Sequence, residues 1–334
     1  MQARMRCEAR WQAREPAVSG PAIGAPPLIV IAGATATGKT ELAIRLGEAL
    51  QSDGRRAVVI SADSRQVYRG LDIGTAKATA ADRARVPHRG LDLVDPDAAF
   101  AVADFVEHAR DVLAELGPSD VAILAGGTGL YLRAVGRGLD TAALPSDREV
   151  RARLEAELEA TGLEPLAERL RTNAPSRAAR IDLKNPRRVV RALEMVEIAG
   201  DGSPPEPLGY PGISLWLGLT VEPSPHAERI TERARSQFAA GLIDEARALR
   251  ERFDPSLPAF SAIGYREAWA VINGQLTRDV AIELDARRNV SFAKRQRTWF
   301  RAEPGITWLD ATDELPTARA LDLVRRTIVS TATP

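Results

Sequence analysis

Cysteine is all but absent: Cys7 stands alone among 334 residues, which excludes a disulfide framework and a cysteine metal site. Histidine is nearly as scarce. His88, His108 and His226 lack metal-ligand spacing, and His108 falls inside an amphipathic helical pattern, so no histidine metal centre is expected. Neither sign of charge is in surplus, with 45 Lys and Arg against 45 Asp and Glu. That balance excludes coating of nucleic acid by bulk electrostatics but permits a local basic surface. The longest apolar runs are strand-sized, so no membrane span is expected, and the Arg-bearing start from Met1 to Glu15 lacks the apolar centre of a signal peptide. A cytoplasmic protein is the expectation. With no internal repeat, 45% apolar and 27% charged residues, the chain has material for one large domain carrying a smaller one.

What is present is concentrated in LIVIAGATATGKT, from Leu28 to Thr40. An apolar run from Leu28 to Ala32 enters Gly33, Ala34, Thr35, Ala36, Thr37, Gly38, Lys39 and Thr40, which fit G-x-x-x-x-G-K-[ST], and Glu41 to Leu50 has helical periodicity. Strand, glycine-rich turn and helix together make a phosphate cradle. The glycines let backbone N–H groups turn inward on a polyphosphate, Lys39 adds a point charge, and Thr40 offers a hydroxyl to Mg²⁺. Most cradles of this kind transfer or hydrolyse a terminal phosphoryl group.

Ala57 to Ile60 reads as a second strand leading to Asp63, and Asp120 to Leu124 as a third ending in Gly126-Gly127-Thr128-Gly129-Leu130-Tyr131. The Asp that usually closes a strand for magnesium is missing there. If the third strand adjoins the first, as in doubly wound sheets, Asp63 and Thr128 both face the cradle at the ligand-binding edge. An Asp so placed suits proton acceptance from a substrate, although Asp63 also fits a turn role and Thr128 fits a turn as well as a ligand role. From Ser146 to about Gly200 the chain turns charge-rich and helical, with helices over Glu149–Ala160 and Pro186–Ile198. A Pro-rich loop ends that stretch, and Ser214 to Val221 returns as a strand. Helices follow over His226–Leu242, which sets Arg229 and Arg233 one turn apart, over Asp244–Arg252 and over Asp285–Arg301. On the last, Ala286, Val290, Ala293 and Phe300 form a stripe that reads as core, and the basic residues between them fit a solvated face as well as nucleic-acid contact.

The expected fold is therefore α/β, a P-loop NTPase-like parallel sheet core with a helical insertion domain. Residues 28–145 and 204–334 are expected to form the core with a helical C-terminal part, residues 146–203 the insertion, and residues 1–27 a disordered extension without function.

GATATGKT, SADSRQVYRGLDIGTAK (Ser61–Lys77), PHRGLDLVDP (Pro87–Pro96), GGTGLY, LPSDREVRARL from Leu144, KNPRRVVRALE (Lys184–Glu194), RITER around Arg229, IGYRE from Ile263 and AKRQRTWFR (Ala293–Arg301) closely resemble the tRNA dimethylallyltransferase, or tRNA isopentenyltransferase, family. The resemblance runs from about Leu28 to Asp310. It implies transfer of a dimethylallyl group from dimethylallyl diphosphate to the exocyclic amine of an adenine beside the tRNA anticodon, with Mg²⁺ as cofactor and the tRNA anticodon stem-loop as partner, in a monomer. The cradle and Arg233 would hold the diphosphate. Asp63 would accept the proton, with Thr128, Lys39 and Arg233 beside it at the catalytic centre. Asp63, Ser64, Arg65, Gln66, Thr128 and Arg151 would contact tRNA near the channel, and Arg187, Arg188, Arg191, Lys294, Arg295 and Arg297 would grip its backbone.

Three departures stand out: Ala34 replaces a family proline, Pro223 occupies a position where many members carry Arg, and Asn289-Val290-Ser291 stands in place of Thr-Arg-Gln. The competing readings are a P-loop kinase of a small metabolite or nucleotide, a nucleotide-dependent RNA-binding switch, and prenyl transfer to a free adenine nucleotide.

Overall fold

The structure, a computed structural model, describes residues 24–141, 144–201 and 207–329. The expected extension falls largely on residues 1–23, and part of the Pro-rich loop on residues 202–206, outside the described residues. Six parallel strands form one sheet: β1 (Leu28–Gly33), β2 (Ala57–Ser61), β3 (His88–Arg89), β4 (Val121–Gly126), β5 (Ser214–Thr220) and β6 (Thr307–Asp310), in the order β3-β2-β4-β1-β5-β6. β1 is fully buried and divides its side chains between two layers. Leu28, Val30 and Ala32 enter one apolar cluster, and Ile29 and Ile31 enter the other. The period-two alternation of a strand covered on both faces explains the unbroken apolar run in the sequence.

Helices α1 (Lys39–Ser52), α2 (Ala80–Arg85), α3 (Val102–Ala114) and α4 (Gly129–Gly136) belong to the first half of the core. Leu42, Leu46 and Leu50 of α1 cover one sheet face, while Phe105 and Val106 of α3 and Leu132 of α4 cover the other. Next come α5 (Arg148–Thr161), α6 (Leu163–Asn173), α7 (Pro175–Ala178) and α8 (Pro186–Ala199). These four enclose a small apolar cluster of their own, with Leu154, Leu166, Leu170, Val189 and Leu193 inside. After β5 the chain forms α9 (Pro223–Ala239), α10 (Leu242–Arg252), α11 (Tyr265–Ile272), α12 (Arg278–Arg301) and, past β6, α13 (Thr317–Val329).

The expected third strand is β4, and it does adjoin β1. The helix expected from His226 to Leu242 is instead divided at Gly241, whose φ of 104° breaks the helical path between α9 and α10. α12 begins earlier than expected, where the Thr277 side chain caps it by accepting from Val280 N at 3.4 Å.

Candidate active site

The cradle between β1 and α1 is held from three directions. Ala36 (φ 59°) and Gly38 (φ 91°) adopt left-handed conformations that turn the loop, and Thr37 Oγ1 and Lys39 Nζ both donate to Ala34 O, at 2.9 and 2.6 Å. From α9, Arg233 donates to Thr35 Oγ1 at 3.1 Å, and His226 Nε2 lies 2.8 Å from Thr35 O. Burial lowers the His226 pKa, which favours the neutral ring, so the Thr35 carbonyl selects the tautomer with the proton on Nε2. From α12, buried Gln296 accepts from Thr35 N at 2.8 Å and donates to Gly127 O at 2.9 Å. One side chain thus ties the cradle to the glycine turn after β4.

That turn sits close against its neighbours. A side chain at Gly126 would collide with the backbone of Ala62, and one at Gly129 with the Trp299 ring. Thr128 N donates to Ala62 O at 3.1 Å, and Thr128 Oγ1 accepts from Ser64 N at 3.0 Å while lying 3.3 Å from Ser64 Oγ. The Thr128 hydroxyl is therefore engaged in holding the turn that carries Asp63. Asp63 Oδ1 accepts from Arg65 N at 2.8 Å, which aims its carboxylate at the end of β2. Asp63 thus makes a turn and also borders a cavity.

Glu245, unmarked by any sequence motif, accepts from the N–H groups of Asp72, Ile73 and Gly74 at 3.1, 2.8 and 3.1 Å and from Tyr265 Oη at 2.8 Å. It holds the DIGTAK loop against α10 and α11. Lys77 of that loop is buried between Asp72 and Asp92, each at 2.6 Å. Gln66 is committed too: it accepts from Ser61 Oγ at 2.7 Å and donates to Thr75 O at 3.0 Å. Both ends of its amide thus have partners within the chain.

These elements enclose a cavity of about 270 Å³ lined by Asp63, Ser64, Arg65, Thr128, Arg233 and Asn289, among others. A smaller one of about 80 Å³ beside it is lined by Lys39, Thr40, Ser61, Asp63 and Arg233. Asp63, Thr35, Arg233, Phe292 and Gln296 border both. Burial, reinforced by the neighbouring Arg233 and only partly offset by Asp63, lowers the Lys39 ammonium to about 7. Among the described residues no group of three or more His, Cys, Asp and Glu side chains forms a metal site. A hard cation fits nonetheless, since the hydroxyl of Thr40 and the carboxylate of Asp63 line the small cavity and phosphate oxygens would complete its shell.

The basic residues expected to grip tRNA divide sharply. Arg187 and Arg188 are exposed, and neither forms an ion pair among the described residues. Arg151 instead donates to buried Glu194 at 3.0 Å, and Arg191 lies 2.7 Å from the same carboxylate. Burial alone would raise the pKa of Glu194, yet the two guanidinium groups hold it below its usual value. Arg151 and Arg191 are themselves only half-buried, with Glu194 beneath them. On α12, Arg295 borders the larger cavity with its guanidinium 5.8 Å from the Phe292 ring, and Lys294 is exposed. Arg297 borders a different cavity with Gly33, Thr220 and Trp308. Arg295 and Arg297 project to different sides of the helix, whereas Lys294 lies one turn from Arg297.

Comparison with known proteins converges on one family. Residues 66–303 match the model of the family described as IPP transferase. The chain is 43% identical over 283 residues to the tRNA dimethylallyltransferase of Thermus thermophilus, covering 83% of this chain and 90% of the relative. It is 39% identical over 307 residues to that of Symbiobacterium thermophilum, covering 90% and 95%. Among solved structures, the tRNA isopentenylpyrophosphate transferase of Bacillus halodurans superposes with a TM-score of 0.66 at 35% identity, covering 92% of this chain and 98% of that one. A eukaryotic dimethylallyltransferase acting on tRNA gives a TM-score of 0.75 at 25% identity, covering 91% and 80%.

Proposed function

The chain belongs to the IPP transferase family, and from that membership we propose that it transfers the dimethylallyl group of dimethylallyl diphosphate to N6 of the adenine 3′-adjacent to the anticodon in tRNA, releasing diphosphate. The observation that carries this reading is the pair of adjoining cavities, with Asp63 and Arg233 on the border of both. One is walled by cations and cradle amides and suits a diphosphate. The other is wider and suits a base.

In this reading the diphosphate lies on the N–H groups of residues 33–40 and draws the Lys39 ammonium away from Ala34 O. Lys39 and Arg233 neutralise the charge that grows on the leaving oxygen as the allylic C–O bond breaks. A preorganised donor of this kind is worth about 3 to 4 kcal/mol. A magnesium ion would be held by the Thr40 hydroxyl beside the diphosphate and would supply neutralisation of phosphate charge. Asp63 orients the adenine amine, whose lone pair is delocalised into the ring, and takes one of its protons as the C–N bond forms. A stacked adenine cannot reach the base of the cavity, so the nucleotide is flipped out of the loop. Thr128 and Ser64 act as positioning residues for Asp63, and Arg65 and Arg295 stand at the cavity wall where flanking nucleotides pass.

The helical unit of residues 146–203 and the exposed α12 residues Lys294 and Arg295 flank the bound anticodon stem-loop, with Arg187 and Arg188 as phosphate contacts. A diffusible tRNA substrate accords with a cytoplasmic, monomeric enzyme, and among the described residues no helix is long and apolar enough to cross a membrane.

The test is to supply labelled dimethylallyl diphosphate and Mg²⁺ with total tRNA, AMP or buffer, and to follow label into nucleic acid while assaying ATP hydrolysis. Label in tRNA is the expected result. Label in AMP alone would move the acceptor to a free nucleotide, and brisk ATP turnover without label would return the cradle to phosphoryl transfer.

A further inference from the structure

The face of α12 turned toward the site reads Asp285, Asn289, Phe292 and Gln296, at successive spacings of four, three and four residues that keep one side of a helix together. Gln296 and Phe292 are accounted for above. Asp285 and Asn289 are not, and Asn289 falls where the sequence departs from the family pattern.

Asp285 is 1% exposed. Its Oδ1 accepts from Asn289 Nδ2 at 2.6 Å, and its Oδ2 lies close against Gly264. An ionised carboxylate only accepts hydrogen bonds, so it dictates which end of the Asn289 amide faces it. The Nδ2 end is taken, and Asn289 Oδ1 has no recorded partner among the described residues. Asn289 lines the larger cavity together with Asp63 and Thr128, and it is not among the residues around the smaller one. A side chain whose oxygen is turned away from a buried carboxylate, at the wall of a cavity meant for a base, is a fixed hydrogen-bond acceptor.

We propose that Asn289, locked by Asp285, is a specificity-determining residue that accepts one N–H of the acceptor's exocyclic amine while Asp63 accepts the other. The inference rests on the adenine reading above and deepens it. Two acceptors on the two N–H bonds hold the amine in the plane of the base, which directs the nitrogen's π lone pair toward the allylic carbon. The C–N bond forms as the C–O bond breaks, and the electron pair of that bond leaves with diphosphate. The proton facing Asp63 departs to its carboxylate, and the hydrogen facing Asn289 stays on the product, whose secondary amine keeps a single N–H. Each acceptor therefore has its own hydrogen.

Burial raises the Asp285 carboxyl to about 6, with Glu267 of α11 adding to the shift and Asn289, Arg233 of α9 and Arg288 opposing it. Arg288 is itself paired with Glu267 at 2.7 Å. The lock is thus in its ionised form at neutral pH.

The experiment measures kcat and KM for an unmodified anticodon stem-loop RNA and for dimethylallyl diphosphate, using the full chain, Asn289→Leu, and the exchange Asp285→Asn with Asn289→Asp. Asn289→Leu is expected to lower kcat/KM for the RNA about 10- to 100-fold, the worth of one hydrogen bond in a desolvated site, with KM for the diphosphate within about twofold. The exchange restores a donor-acceptor pair and again turns an oxygen to the cavity, so it should recover to within about tenfold of the parent. Full activity of Asn289→Leu would overturn the proposal, and so would equal damage to both substrates or failure of the exchange to recover activity in a folded protein. Absence of transfer by the unaltered chain would overturn the proposed function itself, and this inference with it.

Discussion

Arginines at the cradle and arginines in the helical unit meet their surroundings in opposite ways. Arg233 is held among carbonyl and hydroxyl oxygens, with Asp63 the only carboxylate of the cavities it borders. Arg151 and Arg191 share one buried carboxylate, Glu194. The first arrangement leaves positive potential facing a cavity, ready for an anion. The second directs both guanidinium groups to one internal carboxylate and so joins α5 to α8. Motifs rich in arginine therefore do two jobs in this chain, and the partner, not the residue type, decides which.

The contrast can be broken most severely at its anionic counterpart. Asp63→Ala should lower the transfer rate by about 10² to 10⁴, the range of general-base help, while tRNA affinity in a filter-binding assay stays within a few-fold. Retained transfer would remove Asp63 from the role of base. Gln296→Ala should cost about 10²-fold in kcat, because the cradle and the glycine turn lose their shared tether and small displacements near reacting atoms are expensive. Unchanged kcat would reduce Gln296 to packing.

Lys39 sharpens the same comparison through pH. With its free-enzyme pKa near 7 and a bound diphosphate raising it, affinity for the diphosphate should fall as pH rises above 7, by up to about tenfold per unit for one linked proton. Below 7 the ammonium is already protonated and the dependence from this group vanishes. Calorimetry in buffers of different ionisation enthalpy should show proton uptake near pH 7.5, and Lys39→Met should abolish it.

In the helical unit the effects are smaller and of another kind. Arg151→Ala should destabilise that unit by about 2 kcal/mol, since Glu194 loses one of its charged partners, and denaturant unfolding would register the loss. Arg187→Ala with Arg188→Ala should leave stability unchanged and flatten the salt dependence of tRNA binding by about 0.7 to 0.9 per phosphate contact removed. If the single and the double variant behave alike, the division drawn between these arginines fails.

Much of the core was legible because its signals are local. β1, β2, β4 and β5 are contiguous apolar runs buried on both faces, and their ends carry the glycine turns and Asp63. β3 and β6 were not legible: His88–Arg89 is too short for a pattern, and only Leu309 of β6 is buried. Gln296 and Glu245 were missed for a related reason. Each lies on a helix rich in charge, and nothing in its neighbourhood distinguishes a buried polar residue from a solvated one. Of the stripe Ala286, Val290, Ala293 and Phe300, read as core because apolar residues at helical spacing announce a buried face, all but the half-buried Val290 are buried.

The cradle, the carboxylate at the strand end, the helical insertion and the family itself were determined by sequence alone, since strand, turn and helix starts depend on residues a few positions apart. Tertiary structure decided which polar groups are free. Thr35 and Gln296 are 261 positions apart yet share a hydrogen bond, Glu194 binds both Arg151 and Arg191, and Asp285 accepts from the amide nitrogen of Asn289. Such pairings follow from the order of strands and the rotation of helices. Those are set by the burial of whole faces, which no single polar residue encodes.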